Sequence, residues 1–145
     1  MIKIEKFISS NTDLSIAAFD IRKKVFVEEQ NVRAEEEFDE FENFSQHYLA
    51  FYNEIPVATA RWRHTIKGIK LERFAVLKDF RNKNIGNLIL REVLKDVIPF
   101  KKTIYLHAQL PAVKFYKREG FIEEGDLFYE CNIAHYTMSH SKTSN

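Results

Sequence analysis

The hexapeptide Arg81-Asn82-Lys83-Asn84-Ile85-Gly86 places two cations, two asparagines and a glycine directly ahead of an amphipathic run. Upstream, Leu71-Glu72-Arg73-Phe74-Ala75-Val76-Leu77 reads as a strand; downstream, Ile85, Leu88, Ile89, Val93, Val97 and Ile98 recur at helical spacing until Pro99 stops the helix. The first turn of a helix carries unpaired backbone N–H groups and the positive end of the helix dipole. Asn84 tolerates a left-handed backbone better than most residues, and Gly86 lets another group approach the chain closely. Such a segment suits a phosphate or pyrophosphate. The alternative is an ordinary strand-to-helix turn with solvated basic side chains. Neither a Walker lysine-serine pair nor a G-x-G-x-x-G run is present, which disfavours two common nucleotide sites.

The elements around this segment follow from pattern and turn chemistry. Ile2 to Ile8 reads as a first strand. Asn11-Thr12-Asp13 offers an N-cap and an acid for a helix whose stripe is Leu14, Ala17, Ala18, Ile21, Val25 and Phe26. His47–Tyr52 and Val57–Arg63 flank a turn and form a hairpin, and Ile69–Leu77 is a third strand. Thr103–Ala108 is a further strand, Pro111–Glu119 a short helix with proline in its first turn, and Phe121 to Thr137 a closing hairpin. Residues 139–145 read as a frayed tail. The expected fold is mixed α/β, α+β-like: one domain over residues 1–145, with a central sheet of six or seven strands and about four helices.

Composition narrows the function. The chain has 145 residues, 45% of them apolar and 30% charged, with thirteen Phe and six Tyr, which is enough for a real core. Net charge is +1, so a phosphate-tracking nucleic-acid binder is disfavoured. No run approaches the roughly 20 apolar residues of a membrane span, and the N-terminus lacks a signal peptide's apolar region. The single cysteine, Cys131, reads as a buried or half-buried strand residue and excludes an internal disulfide. A cytoplasmic protein is expected, with no nucleic-acid or membrane partner. No histidine pair has metal-ligand spacing, so no metal is expected.

Two stretches, taken together, resemble one family. Arg81, Asn84 and Gly86 match the R/Q-x-x-G-x-G/A pyrophosphate motif of the GNAT N-acetyltransferases, with Asn84 in place of the first glycine. Gln109-Leu110-Pro111-Ala112-Val113-Lys114-Phe115-Tyr116-Lys117-Arg118-Glu119-Gly120-Phe121 is similar to the family's N-x-x-A-x-x-F-Y-x-x-x-G-F, with Gln109 in place of asparagine. Val25–Gln30, His107-Ala108-Gln109 and Ile133-Ala134-His135 further resemble the ElaA-like branch.

The resemblance implies a sheet splayed at a cleft that takes acetyl-CoA, around Phe74 to Val76 and Tyr105 to Ala108. The pantetheine arm would pair with Phe74, Ala75 and Val76 like an added strand. Backbone N–H groups of Asn82, Lys83, Asn84, Ile85, Gly86 and Asn87 would hold the pyrophosphate beside Arg81, with Gln109 and Phe115 also on the cofactor. The reaction implied is direct attack of an amine on the thioester in a ternary complex. Tyr116 matches the family tyrosine that serves the leaving sulfur; the alternative is a packing role. Glu72 is a candidate base or an ion-pair partner of Arg61, Arg63 or Arg73, and His107 a candidate base or a hydrogen-bonded core residue. The acidic stretch Glu28 to Glu42 would face a cationic acceptor or form a solvated face, with Glu28, Glu29 and Gln30 as acceptor-side candidates. A non-catalytic acyl-CoA sensor and a fold-only interaction module remain as alternatives, and a homodimer through terminal strands stays open.

Overall fold

The computed structural model describes residues 1–141. Seven strands form one sheet in the order β1-β2-β3-β4-β5-β7-β6. They are β1 (Ile2–Phe7), β2 (Gln46–Tyr52), β3 (Ile55–His64), β4 (Ile69–Val76), β5 (Ile104–Gln109), β6 (Phe121–Glu130) and β7 (Ile133–His140). Every pairing is antiparallel except β4 with β5, which is parallel. Four α-helices accompany them: α1 (Thr12–Arg22), α2 (Ala34–Glu37), α3 (Ile85–Val97) and α4 (Val113–Arg118). The expectation of a mixed sheet with about four helices in one domain is met.

The sheet is covered on both faces because its strands alternate apolar residues to each side. Tyr48, Ala50, Ala58, Ala60 and Leu71 pack with the buried stripe of α3 and with Val113 and Tyr116 of α4. Leu49 and Ala75, pointing the other way, pack with Ala18, Ile21, Val25 and Phe26. The α3 stripe (Ile85, Ile89, Leu90, Val93, Leu94 and Val97) is buried throughout, and each such side chain removes apolar surface worth about 1.5–3 kcal/mol.

The N-cap of α1 is the predicted one: the Asn11 side chain accepts from the Leu14 N–H at 3.2 Å. The helix does not continue as α-helix to Phe26. From Lys23 to Glu29 it widens into a π-helical segment, closed by Gln30 N–H donating to the Val25 carbonyl at 3.1 Å. π-Segments of this kind recur at functional sites because the extra residue per turn redirects side chains.

Two expectations are corrected. The last strand reaches His140, with Ser139 and His140 buried and the Ser141 N–H bonded to the Gly120 carbonyl at 2.8 Å, so residues 139 and 140 belong to the sheet. The remainder of the expected tail, 142–145, lies outside the described residues. Cys131 is neither a buried nor a half-buried strand residue. With Asn132 it makes the two-residue β6–β7 turn, both at positive φ (51° and 62°), and it is exposed.

Candidate active site

The parallel pairing of β4 and β5 covers only Ile69↔Ile104, Lys70↔Tyr105 and Leu71↔Leu106. Beyond it the strands part. β3 supplies the reason: Arg61 opposes Glu72 and Thr59 opposes Ala75, so Ala60 alone faces both Arg73 and Phe74. That is a β-bulge, with Arg73 at φ 60°, and a bulge increases local twist and turns a strand away from its neighbour. On the other side, β5 from Tyr105 to Gln109 follows β7. The result is a cavity of about 440 Å³ between the two strands, walled by Phe74, Ala75 and Val76 on one side and Leu106, His107 and Gln109 on the other.

At one end this cavity meets the turn into α3. Asn82 and Asn84 both sit in the left-handed region at φ 63°, the role asparagine tolerates best after glycine. Asn84 is the N-cap residue but its side chain caps nothing, and the first helical bond to its carbonyl comes from Leu88 at 3.1 Å. The first-turn N–H groups of Ile85, Gly86 and Asn87 therefore lack an intrahelical acceptor. They border a second hollow of about 390 Å³ that shares Val76, Arg81, Gly86 and Phe115 with the first. Lys83 is exposed and lines neither hollow.

Arg81 is already engaged. Its Nε donates to the Val76 carbonyl at 2.9 Å, and its guanidinium grips Glu29 with both ends, at 2.6 and 2.8 Å. The Arg81 hydrogen bond outweighs desolvation and holds the Glu29 carboxyl below its ordinary value. The next residue, Gln30, exchanges amide hydrogen bonds with Gln109 at 2.8 and 3.3 Å. Consecutive residues at the end of the π-helical segment thus reach both sides of the opening, Glu29 to the turn after β4 and Gln30 to the end of β5. Glu28 is exposed and does not line the cavity.

Tyr116 enters from the α3–α4 face. It is buried, stands edge-on to Phe74, Phe115 and Phe121, and lines the cavity. Its hydroxyl has no hydrogen-bond partner among the described residues. Burial pushes its phenol well above the ordinary range, so it stays protonated near neutral pH.

Glu72 is buried in a cage of cations: Arg61 by two nitrogens, Arg63 at 3.2 Å and Lys70 at 3.5 Å. Burial alone would raise its carboxyl, but the positive charges win and hold it low. That geometry is the ion-pair alternative, and a carboxylate so held is a weak proton acceptor. His107 lies half-buried on the face opposite Tyr116, with Nδ1 3.2 Å from Glu130 Oε2.

The acidic stretch divides in two: Glu28, Glu29, Glu35, Glu36 and Glu40 are exposed, whereas Glu37, Asp39 and Glu42 are turned inward onto arginines. Arg22, fully buried, binds Glu37 at 2.9 Å and Glu42 at 2.8 Å. Arg61 binds Asp39 and Glu42, both at 2.8 Å, and Arg73 binds Glu37 at 3.1 Å and Asp39 at 3.0 Å. Three arginines on α1, β3 and β4 thereby fasten residues 37–42 over the bulge. The partners lie 15 to 36 positions apart, so no local spacing announces them. The cavity wall contributed by the β6–β7 hairpin, with Glu130, Cys131 and His135, is likewise unmarked in the sequence apart from the His135 segment.

A model of the acetyltransferase (GNAT) domain matches residues 11–142. The chain belongs to the GNAT acetyltransferase family. Among curated relatives it is 40% identical over 133 residues to an uncharacterised N-acetyltransferase of Bacillus subtilis, YjcF, covering 90% of this chain and 95% of that one. The crystal structure of Escherichia coli ElaA superposes with a TM-score of 0.87 at 25% identity, over 97% of this chain and all of that one. The PaiA N-acetyltransferase of Thermoplasma acidophilum, solved in complex with coenzyme A, shares the fold with a TM-score of 0.69 at 15% identity, covering 97% and 98%. Membership carries a general acyl-CoA N-acyltransferase role. Among the described residues, no helix is long and apolar enough to cross a membrane, and no group of three His, Cys, Asp or Glu could hold a metal ion.

Proposed function

We propose that this GNAT protein moves an acetyl group from acetyl-CoA to an amine by direct attack, both substrates being bound at once. One observation carries the reading: the β4–β5 opening has uncapped helix N–H groups at one end and, in its wall, the buried residue Tyr116, whose hydroxyl has no hydrogen-bond partner among the described residues. The residues present fit coenzyme A. The exposed backbone donors at Ile85, Gly86 and Asn87 suit the pyrophosphate, and the edge of β4 at Phe74, Ala75 and Val76 suits the pantetheine amides. Because Glu29 holds Arg81, phosphate binding rests on the backbone more than on that guanidinium.

The chemistry divides between the two faces of the sheet. An alkylammonium, with a pKa around 10, must lose a proton before it attacks. His107, on the α1–α2 face, is the proposed acceptor, and the caged Glu72 is assigned a structural role. A backbone N–H of the parted β4 segment stabilises the developing oxyanion. Tyr116, on the α3–α4 face, gives its proton to the departing thiolate, whose free pKa is around 8.5.

The test is calorimetric titration with acetyl-CoA together with thiol release measured for the wild type and Tyr116→Phe. The expected result is a variant that keeps coenzyme affinity and loses roughly 10²-fold or more in kcat, the scale of a lost general acid. Equal turnover in the two proteins refutes the role of Tyr116. Binding with no turnover in either leaves an acyl-CoA-binding domain, and no binding by the folded protein removes both readings.

A further inference from the structure

From the placement of Glu130, we infer that it is a positioning residue for His107, fixing the ring so that Nε2 is the proton acceptor on the amine side of the cleft. The inference deepens the acyltransferase reading and rests on it. Glu130 is the last residue of β6, and in the sheet β7 lies between β6 and β5. Its carboxylate therefore reaches across a whole strand to meet His107, with Oε2 3.2 Å from Nδ1. Two features support that reach. Phe128 stands edge-on to the His107 ring at 5.0 Å and stacks on the His135 ring at 5.7 Å, setting both planes. His135 gives its Nδ1 hydrogen to the Ile133 carbonyl at 2.7 Å and turns Nε2 toward the other carboxylate oxygen, at 3.9 Å.

The tautomer follows from what each group can do. An ionised carboxylate only accepts, so Nδ1 of His107 must carry the hydrogen and Nε2 holds the lone pair. Glu130 stays ionised because the His107 hydrogen bond holds its carboxyl below the ordinary value. β5 settles which side the ring serves: Leu106 and Ala108 join the α3–α4 core with Tyr116, whereas His107 alternates to the opposite face. Tyr105 of β5 stands beside the ring, and the cavity that His107 lines also carries Lys70, Glu72 and Arg73 of β4, Glu36 and Glu37 of α2, His135 of β7 and Cys131 in the turn. Lys70 and Glu72 are paired with each other and Glu72 further with arginines, and His135 turns its Nε2 to the Glu130 carboxylate, so the His107 ring is the acceptor assigned on this side.

In the step so assigned, His107 Nε2 takes a proton from the ammonium and the freed lone pair forms the C–N bond. The C–S bond breaks and the thiolate takes the Tyr116 proton. The nitrogen's second proton restores the phenol through solvent, and the proton on His107 leaves to bulk.

The ring can be observed without knowing the natural acceptor. Nitrogen-15 NMR of the histidines, with His107 assigned by loss of its signals in His107→Gln, should find Nδ1–H and a bare Nε2 in the wild type. Glu130→Ala should move the ring toward Nε2–H, and Glu130→Gln, whose amide oxygen still accepts, should largely keep it. Thiol release from acetyl-CoA, with ethylamine and spermidine as acceptors, should fall about tenfold or more in kcat for Glu130→Ala at unchanged acetyl-CoA affinity, with Glu130→Gln between. A wild-type ring protonated at Nε2, a ring indifferent to Glu130→Ala, or a Glu130→Ala variant of full kcat overturns the inference. Failure of the parent reading looks different: a wild type that binds no coenzyme, or binds it and turns over neither amine, refutes the acyltransferase and the base role with it, whatever the tautomer.

Discussion

Gly86, the second residue of α3, lines both hollows of the cleft, and alanine there should move stability and coenzyme affinity in opposite directions. A Cβ built on Gly86 meets the Phe115 ring at 3.6 and 3.7 Å and a Val76 methyl at 3.9 Å, all ordinary contact distances. The protein itself therefore has room for the methyl. Losing glycine's freedom in the unfolded chain should then add about 0.4–1 kcal/mol, which for a domain of this size is about 1–4 °C in Tm. The same methyl occupies space beside the first-turn N–H groups. If it displaces one phosphate oxygen from one charge-assisted hydrogen bond, the loss is about 1.5–3 kcal/mol, or roughly ten- to hundredfold in Kd. Thermal unfolding and calorimetric titration with coenzyme A read the two effects separately. A variant that binds coenzyme A as tightly as the wild type refutes the placement of the pyrophosphate on this turn. A variant less stable than the wild type refutes the contact argument.

Other perturbations have equally definite expectations. Arg61→Ala leaves Asp39, Glu42 and Glu72 without their shared buried cation and should cost about 3–5 kcal/mol in urea unfolding, the scale of a broken buried pair. Burial pushes the carboxyls of Asp39, Glu42 and Glu72 up, but the arginines overcome it and hold all three below their ordinary values. Groups lowered on folding stabilise fully above their unfolded values of about 4 and lose that contribution as pH falls through the folded ones. Glu37, which burial holds above its ordinary value, opposes this trend. Unfolding free energy should therefore decline below about pH 4, and chemical denaturation across that range should find a shallower decline in Arg61→Ala. Glu29→Gln releases Arg81 from a partly exposed ion pair, so stability should change by less than about 1 kcal/mol. Its coenzyme A affinity should rise at low ionic strength and converge with the wild type at high salt, as titrations at two salt concentrations will read.

What the sequence discloses here is what is local. The turn at Arg81 to Gly86, the α3 stripe and the Phe115-Tyr116 pair are contiguous patterns that stand where their spacing places them, except that Leu88 of the expected stripe is exposed and Leu90 and Leu94 are buried instead. The left-handed Asn84 follows from the residue type alone. The β4–β5 split was expected through family resemblance; its physical cause, the bulge at Arg73, leaves no mark because arginine has no preference for φ 60°. The acidic stretch misleads for a related reason. Its charge is visible residue by residue, whereas Arg22, Arg61 and Arg73, which pair Glu37, Asp39 and Glu42, sit on three other elements. Cys131 reads as strand because β-like residues surround it, and only the hairpin register puts it in the turn. Glu130 belongs to no motif. Its meaning depends on β7 lying between β5 and β6, a fact of topology alone.

The split in the sheet has a further consequence for selective chemistry. Coenzyme A is common to many proteins in a cell, and the walls proposed to hold it, the edge of β4 and the first turn of α3, are largely backbone. A compound aimed there competes with an abundant metabolite and meets surfaces that backbone geometry makes similar across folds of this type. The opposite mouth is built from side chains of separate elements: Glu36 and Arg73 on one rim, Glu130, Cys131 and His135 on the other. The Cys131 thiol stands exposed at that rim, 3.2 Å from the Glu36 carboxylate. On the proposed reading that rim is the amine side, and the thiol there is a guarded one, because burial and the Glu36 carboxylate hold it above its ordinary value and keep its thiolate scarce.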